Sequence, residues 1–283
     1  MRYIALLLAL FLAVMICLLA GGFAGFTWLW LLPAGFVGSL LVMAVILFLT
    51  LWISCALVDT EKPQEKDSPY YRRLTYLMID VAQWLLRMRV HTQGLEKTPK
   101  EGRFLLVCNH INDLDPLLLL SRFKKSQLAF ISKRENDQKV FVGQLMHKLL
   151  CQLINRENDR EALKTILNCI KLLQEDAVSI AVFPEGYTSM DGLLHPFRSG
   201  VFKIAQKAKV PIVVCTVKNT NQVFRNAKKL KPTEVHLHLL GVIQPEEFSG
   251  ITTVELAGRI HAMMAEDLGP DLVLQQGENN EEN

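Results

Sequence analysis

The sequence predicts an α/β domain with a mostly parallel sheet flanked by helices, preceded by an N-terminal hairpin of two membrane helices. One observation is that Tyr3–Val58 contains no Lys, Arg, Asp, Glu or His. Another is that short apolar runs such as Val178–Phe183 alternate with helical patterns, which is typical of strands covered on both faces. The 225 residues that follow Val58 are enough for one domain with a sizeable core.

The charge-free block contains two apolar runs, residues 4–20 and 34–58, each close to the roughly 20 residues that span a bilayer. The turn between them is predicted from four residues, Gly21, Gly22, Gly25 and Pro33. A cleavable signal peptide is the competing interpretation, because Arg2 precedes an apolar run that ends in small residues. Helices lying in one leaflet are disfavoured, because the block has no polar face.

Residues 59–92 are predicted to be a linker followed by an amphipathic helix over 70–89, with apolar residues at helical spacing and arginines at both ends. Such a helix suits an anionic lipid surface, although packing on the neighbouring domain explains the pattern equally well. Basic residues near a membrane exit favour the cytoplasmic side, here Lys62, Lys66, Arg72 and Arg73. We therefore expect a two-helix membrane protein whose larger domain is cytoplasmic, in a bacterial cell membrane.

Residues 93–270 are predicted to form the soluble domain, and 271–283 an acidic disordered tail. Within the domain the patterns indicate strands at 104–108, 128–132, 178–183, 211–217 and 234–243. Helices are predicted from residue 116 and at 140–153, 160–175, 201–209 and 252–268. In parallel sheets of this kind the chemistry collects beyond the carboxyl ends of the strands.

His110 follows the first of these strands, and Asp115 comes five residues later. A carboxylate that accepts from one imidazole nitrogen leaves the other nitrogen free to act as a base. Asp115 followed by Pro116 is also a good helix N-cap, which is a purely structural alternative. The spacing alone leaves Asp113 open as another partner of His110.

A turn-rich loop follows Val178–Phe183 and contains Glu185, Gly186 and Ser189, with Arg198 further on. Exposed backbone amides beside a guanidinium can hold a phosphate, but such loops also occur without any ligand.

No metal site is predicted: the six cysteines are scattered without a C-x-x-C pair, and His236 and His238 lack a third ligand nearby. The thiols are expected to be reduced and to lie in apolar surroundings. A net charge of +3 is too small to indicate nucleic acid, so lipid is the expected partner.

Together the motifs resemble the glycerolipid acyltransferase family, whose first block is N-H-x4-D, here Asn109, His110 and Asp115. Its third block, F-P-E-G-T-R-S, is similar to Phe183–Ser189, and its fourth, V-P-I-V, is Val210–Val213. The second block, K-x-E with a later arginine, is matched by Lys133, Glu135 and Arg156. The resemblance runs from about residue 70 to 245, and the four blocks are specific only jointly.

The resemblance implies that His110, held by Asp115, removes the proton from a lysophospholipid hydroxyl, which attacks the thioester of acyl-CoA or acyl-carrier protein. It implies 1-acylglycerol 3-phosphate as acceptor, phosphatidic acid as product and no cofactor. Asn109, Lys133, Arg156, Glu185, Gly186, Ser189 and Arg198 are the expected substrate-binding residues. A thioesterase or hydrolase and a catalytically silent lipid-binding protein are the rival classes.

The third block departs from the family pattern, because Tyr187 and Thr188 stand where the family has Thr-Arg. A guanidinium binds phosphate bidentately and a threonine cannot replace it. Arg156, Arg198 or Lys203 is expected to supply the missing cation; otherwise the acceptor is a different lysolipid or glycerol 3-phosphate.

Overall fold

The computed structural model describes residues 2–21, 23, 25–155 and 158–274. The chain divides into two compact units, residues 1–59 and 60–283. Each is described by itself below.

The N-terminal unit consists of two helices, α1 (Arg2–Leu19) and α2 (Trp28–Ala56), which fit the predicted hairpin. Ala9, Ala13 and Cys17 on α1 are fully buried, and a side chain at Gly35 of α2 would approach Ala13 Cα to 3.3 Å. Small residues let the two helix backbones approach closely, as in helix pairs inside membranes. Of the described helices, only α2 is long and apolar enough to cross a bilayer; α1 is apolar but shorter.

The second helix of this unit begins earlier than the predicted range of 34–58. Helix α2 starts at Trp28, so Pro33 lies inside it rather than in the turn. The proline ring fixes φ near the helical value and removes one N–H. Because Pro33 is the sixth residue of a 29-residue helix, the chain loses one hydrogen bond near its start and continues.

The second unit is built on a seven-stranded sheet in the order β1-β7-β6-β2-β5-β3-β4. The strands are β1 (Met88–Gln93), β2 (Leu105–Cys108), β3 (Leu128–Lys133), β4 (Gln152–Ile154), β5 (Ser179–Val182), β6 (Ile212–Lys218) and β7 (Thr233–Ile243). All neighbouring pairs are parallel except β6 and β7. The predicted fold class, a mostly parallel sheet flanked by helices, is confirmed.

Helices cover both faces of this sheet. They are α3 (Pro69–Leu85), α4 (Asp115–Arg122), α5 (Val142–Lys148), α6 (Asp159–Gln174), α7 (Lys203–Ala208), α8 (Val223–Ala227) and α9 (Thr253–Leu268). Successive residues of β2 face opposite ways: Leu105 and Val107 join one apolar cluster, Leu106 and Cys108 the other. Burial on both faces explains why the central strands are continuously apolar.

The two edge strands lie where the sequence patterns predict helix. Helix α3 ends at Leu85 rather than 89; Arg87 adopts a positive φ, and the chain turns into β1, which pairs with β7. Helix α5 ends at Lys148 rather than 153; Leu150 also has a positive φ, and β4 then pairs with β3. Both helices stop because a left-handed residue redirects the backbone to the open edge of the sheet.

The basic residues of α3 do not all face outward, as a lipid-surface helix would require. Arg72 is buried, forms an ion pair with Asp67 at 2.7 Å and donates to the Leu128 carbonyl. Arg73 is exposed. Helix α3 is therefore docked on the domain through Arg72, as the packing interpretation predicts.

The chain remains packed a little past the predicted start of the tail at residue 271. Pro270–Leu272 form a 3-10 turn, and Val273 pairs with Leu194. The rest of the predicted tail, 275–283, lies outside the described residues.

Candidate active site

His110 lies just beyond the carboxyl end of β2, the central strand between β5 and β6. Asp115 opens α4, and its Oδ2 lies 3.0 Å from His110 Nδ1. The structure thus brings the two predicted residues together. Asp113 is exposed, and Asp115 is the carboxylate that contacts the imidazole.

The Asp115 carboxylate is completely buried and fully hydrogen-bonded. Its Oδ2 accepts from the backbone N–H groups of Ile111 and Asn112, each at 2.8 Å, and its Oδ1 accepts from the Thr220 hydroxyl. None of these partners lies in the first turn of α4, which begins at Asp115 itself, so the capping alternative is wrong. Asp115 instead fixes the loop that carries His110.

The other nitrogen of His110 faces a threonine. Thr188 Oγ1 lies 2.9 Å from His110 Nε2, and the imidazole ring stacks on Phe183 with centroids 4.1 Å apart. The His110 side chain retains 14% of its exposure, so the ring is partly open to solvent. Three elements therefore fix the ring: the Asp115 carboxylate, the Phe183 face and the Thr188 hydroxyl.

Glu185 is 1% exposed and joins two loops rather than facing solvent. Its carboxylate accepts from the backbone N–H of His110 at 2.7 Å and of His195 at 3.1 Å. Burial raises the pKa of Glu185 from 4.5 to about 7, more than the two N–H donors lower it. Through these contacts Glu185, an expected substrate-binding residue, supports the backbone of His110.

Two other predicted substrate-binding residues are also committed to backbone contacts. The Asn109 amide donates to the Val217 carbonyl at 3.0 Å and accepts from the Val217 N–H at 2.7 Å, linking β2 to β6. Ser189 donates its N–H to the His110 carbonyl and its hydroxyl to the Leu193 carbonyl, both at 2.7 Å. Both are buried, so their polar groups position the loops of the site.

Gly186 and Arg198 adjoin each other beside the site. Gly186 has φ +86°, and a Cβ there would lie 2.8 Å from Arg198 Nε. Glycine is therefore needed both for the left-handed turn and for the close approach of the guanidinium. Arg198 is exposed at the rim of a cavity of about 190 Å³ whose other lining residues include Phe183 and Ile131.

The remaining candidates are less informative. Lys133 is exposed at the end of β3, and Arg156 lies outside the described residues. His195 is half-buried and contacts Asp191 at 2.9 Å. No group of three metal-ligating side chains occurs in the part of the chain that the structure describes. Cys108 is buried, and burial raises the pKa of its thiol, as expected of a core cysteine.

Sequence reasoning missed three partners of the His110–Asp115 pair. Thr188 stands out only as a departure from the family pattern, and nothing in the spacing shows its contact with His110. Thr220 follows β6, about a hundred residues from Asp115, and no local pattern marks it. Phe183 ends an apolar run and reads as an ordinary core residue, although it stacks on the imidazole.

The arrangement provides a base at the carboxyl ends of the central strands. Asp115 already accepts two backbone N–H groups at Oδ2, so the Nδ1–H of His110 donates to the same oxygen. The Nε2 atom is then the acceptor and can take a proton from a hydroxyl group.

Comparisons with known proteins bear on the family and the fold. Residues 89–218 match the family model described as acyltransferase. The chain is 28% identical over 184 residues to 1-acyl-sn-glycerol-3-phosphate acyltransferase of Borreliella burgdorferi, covering 62% of this chain and 73% of that protein. It is 28% identical over 202 residues to a probable 1-acyl-sn-glycerol-3-phosphate acyltransferase of Mycoplasma pneumoniae, covering 69% and 75%.

A solved structure extends the likeness to the fold of nearly the whole chain. The 1-acyl-sn-glycerophosphate acyltransferase PlsC of Thermotoga maritima superposes with a TM-score of 0.59 at 22% identity, covering 95% of this chain and 96% of that one. At this identity the likeness concerns the fold alone. The family match and the curated relatives support an acyltransferase.

Proposed function

We propose that this acyltransferase transfers a fatty acyl group from a thioester donor to the free hydroxyl of 1-acylglycerol 3-phosphate, giving phosphatidic acid. The proposal rests mainly on the His110–Asp115 contact at 3.0 Å, just beyond the carboxyl end of β2. The relatives from Borreliella burgdorferi and Mycoplasma pneumoniae are named for this acceptor, which supports the choice of substrate.

In this proposal His110 is the general base. Its Nε2 takes the proton of the hydroxyl that attacks, and Asp115 stabilises the imidazolium that forms. General-base help of this kind contributes typically about 10² to 10⁴-fold, and aligning the two substrates supplies much of the rest.

We assign the acceptor phosphate to Arg198. Thr188 stands in place of the motif arginine, and its hydroxyl contacts His110. Arg198 is held against Gly186 by the Arg198 N–H, which donates to the Pro184 carbonyl at 2.8 Å, and its guanidinium is exposed. Among the described residues no carboxylate lies within 4.0 Å of that guanidinium, which leaves its N–H donors for an anion.

The donor is proposed to be acyl-CoA or acyl-carrier protein, with no further cofactor. The acceptor and product are amphiphiles that reside in a bilayer, and α2 is apolar and long enough to cross one. We therefore propose that the N-terminal helices anchor the chain, with the α/β domain on the cytoplasmic face.

A competition assay tests the acceptor. Purified full-length protein receives labelled acyl-CoA and an equimolar panel of 1-acylglycerol 3-phosphate, lysophospholipids with other head groups, and glycerol 3-phosphate. The proposal predicts phosphatidic acid as the main product. A different acylated lysolipid as the main product would support the second candidate acceptor class, which Thr188 at the motif-arginine position favours.

Variants of Arg198 test the phosphate assignment. Arg198→Ala should raise KM for 1-acylglycerol 3-phosphate at least tenfold while leaving KM for the acyl donor unchanged, and Arg198→Lys should recover part of the loss. Lys203→Ala removes a neighbouring cation and is the matched control. An unchanged acceptor KM in Arg198→Ala would contradict the assignment.

A further inference from the structure

A strongly basic segment follows β6. Residues 219–233 contain no Asp or Glu and four basic residues, Arg225, Lys228, Lys229 and Lys231. This segment alone carries more positive charge than the net +3 of the whole chain. All four side chains are exposed, and no carboxylate of the described residues lies within 4.0 Å of their charged nitrogens. The α/β domain therefore presents a basic surface here that its own acidic residues do not neutralise.

Two large apolar side chains stand among these charges. Leu230 is 75% exposed and lies in the chain between Lys229 and Lys231, and Phe224 is 48% exposed. Neither joins the two apolar clusters that form the core of the described domain. The basic surface thus has an apolar tip, which is the composition of a segment that inserts at a membrane interface.

The backbone holds Leu230 in a conformation that usually selects glycine. Its φ is +54°. The Leu230 N–H donates to the Ala227 carbonyl at 2.9 Å, and the Lys231 N–H donates to the Asn226 carbonyl at 3.0 Å, which is the Schellman pattern at a helix end. Glycine is the common residue at this position because a Cβ disfavours the left-handed region. The fold gains nothing from a leucine here, so an external contact explains it better.

This surface, defined by residues 224–231, lies at the same edge of the sheet as the candidate active site. It follows the carboxyl end of β6, whose parallel neighbour β2 ends just before His110. Thr220, whose hydroxyl contacts Asp115, begins the turn that leads into α8. On its other side the tip is fixed to the end of α3, because Arg87 Nη1 donates to the Leu230 carbonyl. A contact made by the surface is therefore coupled to the loops that carry the base.

We propose that residues 224–231 dock the α/β domain on an anionic bilayer, as a contact additional to the N-terminal helices. Leu230 and Phe224 enter the boundary between head groups and acyl chains, and the lysine ammonium groups contact lipid phosphates. A bilayer is favoured over an acidic protein because the apolar side chains project from a turn between cations, as interfacial anchors do. Docking brings the loop of His110 to the lipid surface, a consequence that rests on the proposed function.

Hydrogen exchange of the full-length protein in lipid nanodiscs tests this contact without requiring activity. One set of discs contains phosphatidylcholine alone, and the other contains phosphatidylcholine and phosphatidylglycerol in equal amounts. The amides of residues 224–231 should exchange about threefold or more slowly in the anionic discs. Raising the salt concentration should reduce this difference, because it screens the attraction between lysines and lipid.

A pair of charge reversals separates this surface from general attraction to anionic lipid. Lys228→Glu with Lys229→Glu should abolish the protection by anionic discs. The matched control is Lys207→Glu with Lys209→Glu, since both of these lysines are exposed and precede β6, at the opposite edge of the sheet. The control pair should keep the protection, and both proteins should melt at the wild-type temperature.

Replacing Leu230 with glycine should move stability and docking in opposite directions. Leu230→Gly removes the Cβ from a left-handed position, so the protein should melt at a higher temperature than the wild type. It also removes the apolar tip, so the protection by anionic discs should decrease. A lower melting temperature with unchanged protection would show that the leucine serves the fold, and would overturn the proposed insertion.

The outcomes separate this inference from the proposed function. Equal exchange in the two kinds of disc, or protection that survives the Lys228 and Lys229 reversals, would overturn the docking and leave the proposed acyl transfer standing. Protection by added acyl-carrier protein, but not by anionic lipid, would also overturn it and assign the surface to an acidic protein. Protection by anionic lipid in a protein that acylates no acceptor would support the docking and contradict the proposed function.

Discussion

Replacing Asp115 with asparagine removes the charge beside His110 while keeping the shape of the side chain. The hydrogen bonds decide how the amide is oriented: Oδ2 accepts from Ile111, Asn112 and His110, whereas Oδ1 contacts only the Thr220 hydroxyl. The amide oxygen should therefore take the Oδ2 position, and its NH₂ group can donate to Thr220, which accepts as readily as it donates. The tautomer of His110 is expected to survive.

What is lost is the attraction between the carboxylate and the imidazolium that forms as the base takes a proton. At a separation of about 4 Å and an effective dielectric constant of about 20, that attraction is about 4 kcal/mol. At about 1.4 kcal/mol per tenfold change in rate, Asp115→Asn should lower kcat by about 10³-fold. This is within the range of about 10² to 10⁴ expected for general-base help.

The assay is steady-state acyl transfer from labelled acyl-CoA, with a melting curve of each protein as the test of folding. Asp115→Ala is unsuitable, because it leaves several buried donors unpaired, each costing about 1–3 kcal/mol, and is expected to unfold the domain. An Asp115→Asn protein with the melting temperature of the wild type and a kcat within threefold of the wild-type value would refute the reasoning.

Three further predictions concern stability, each measured by denaturation of the full-length protein. Glu185→Gln should remove a pH dependence of the free energy of unfolding. The pKa of Glu185 is about 7 in the folded state against 4.5 ordinarily, so the folded state binds more protons between these pH values. As pH rises through this window, the free energy of unfolding of the wild type should therefore fall by about 3 kcal/mol relative to the variant. Arg72→Ala should cost about 3–5 kcal/mol, because it leaves the buried partner of the ion pair uncompensated, whereas Arg73→Ala should stay within about 0.5 kcal/mol. Gly94→Ala should cost at least about 1 kcal/mol more than Gly102→Ala, since both have a positive φ but only a Cβ at Gly94 overlaps the Leu239 carbonyl oxygen.

Each of these has a contradicting result. Parallel stability–pH curves for wild type and Glu185→Gln would show that burial does not raise the pKa of this carboxyl. Equal losses in the two arginine variants would place Arg72 at the surface, as a lipid-facing helix requires. Equal losses of unfolding free energy at the two glycines would mean that the positive φ alone, and not the contact with Leu239, determines the effect of adding a side chain.

The central strands could be predicted from the sequence because burial on both faces leaves a plain signal. The runs that contain Leu105–Cys108 and Ser179–Val182 are continuously apolar, and both are strands. Edge strands carry no such signal: Gln152–Ile154 is three residues long and only half-buried. Its strand character comes from pairing with β3, a tertiary contact that no local pattern records.

The contacts of the candidate site could be predicted between residues that are close in sequence, but not between residues that are far apart in sequence. His110 and Asp115 are five residues apart, so the spacing alone suggests the pair. The Asp115–Thr220 contact joins residues 105 positions apart. The predicted roles of Asn109 and Glu185 required knowing the direction of their side chains, which face the backbone of neighbouring loops.

The central claim is that His110 is the base of an acyl transfer to a lipid hydroxyl. The direct measurement is phosphatidic acid formed from labelled acyl-CoA and 1-acylglycerol 3-phosphate by the wild-type chain and by His110→Ala, at matched melting temperature. The wild type should form the product, and His110→Ala should form at least 10²-fold less. His110→Ala that forms phosphatidic acid at the wild-type rate would contradict the account.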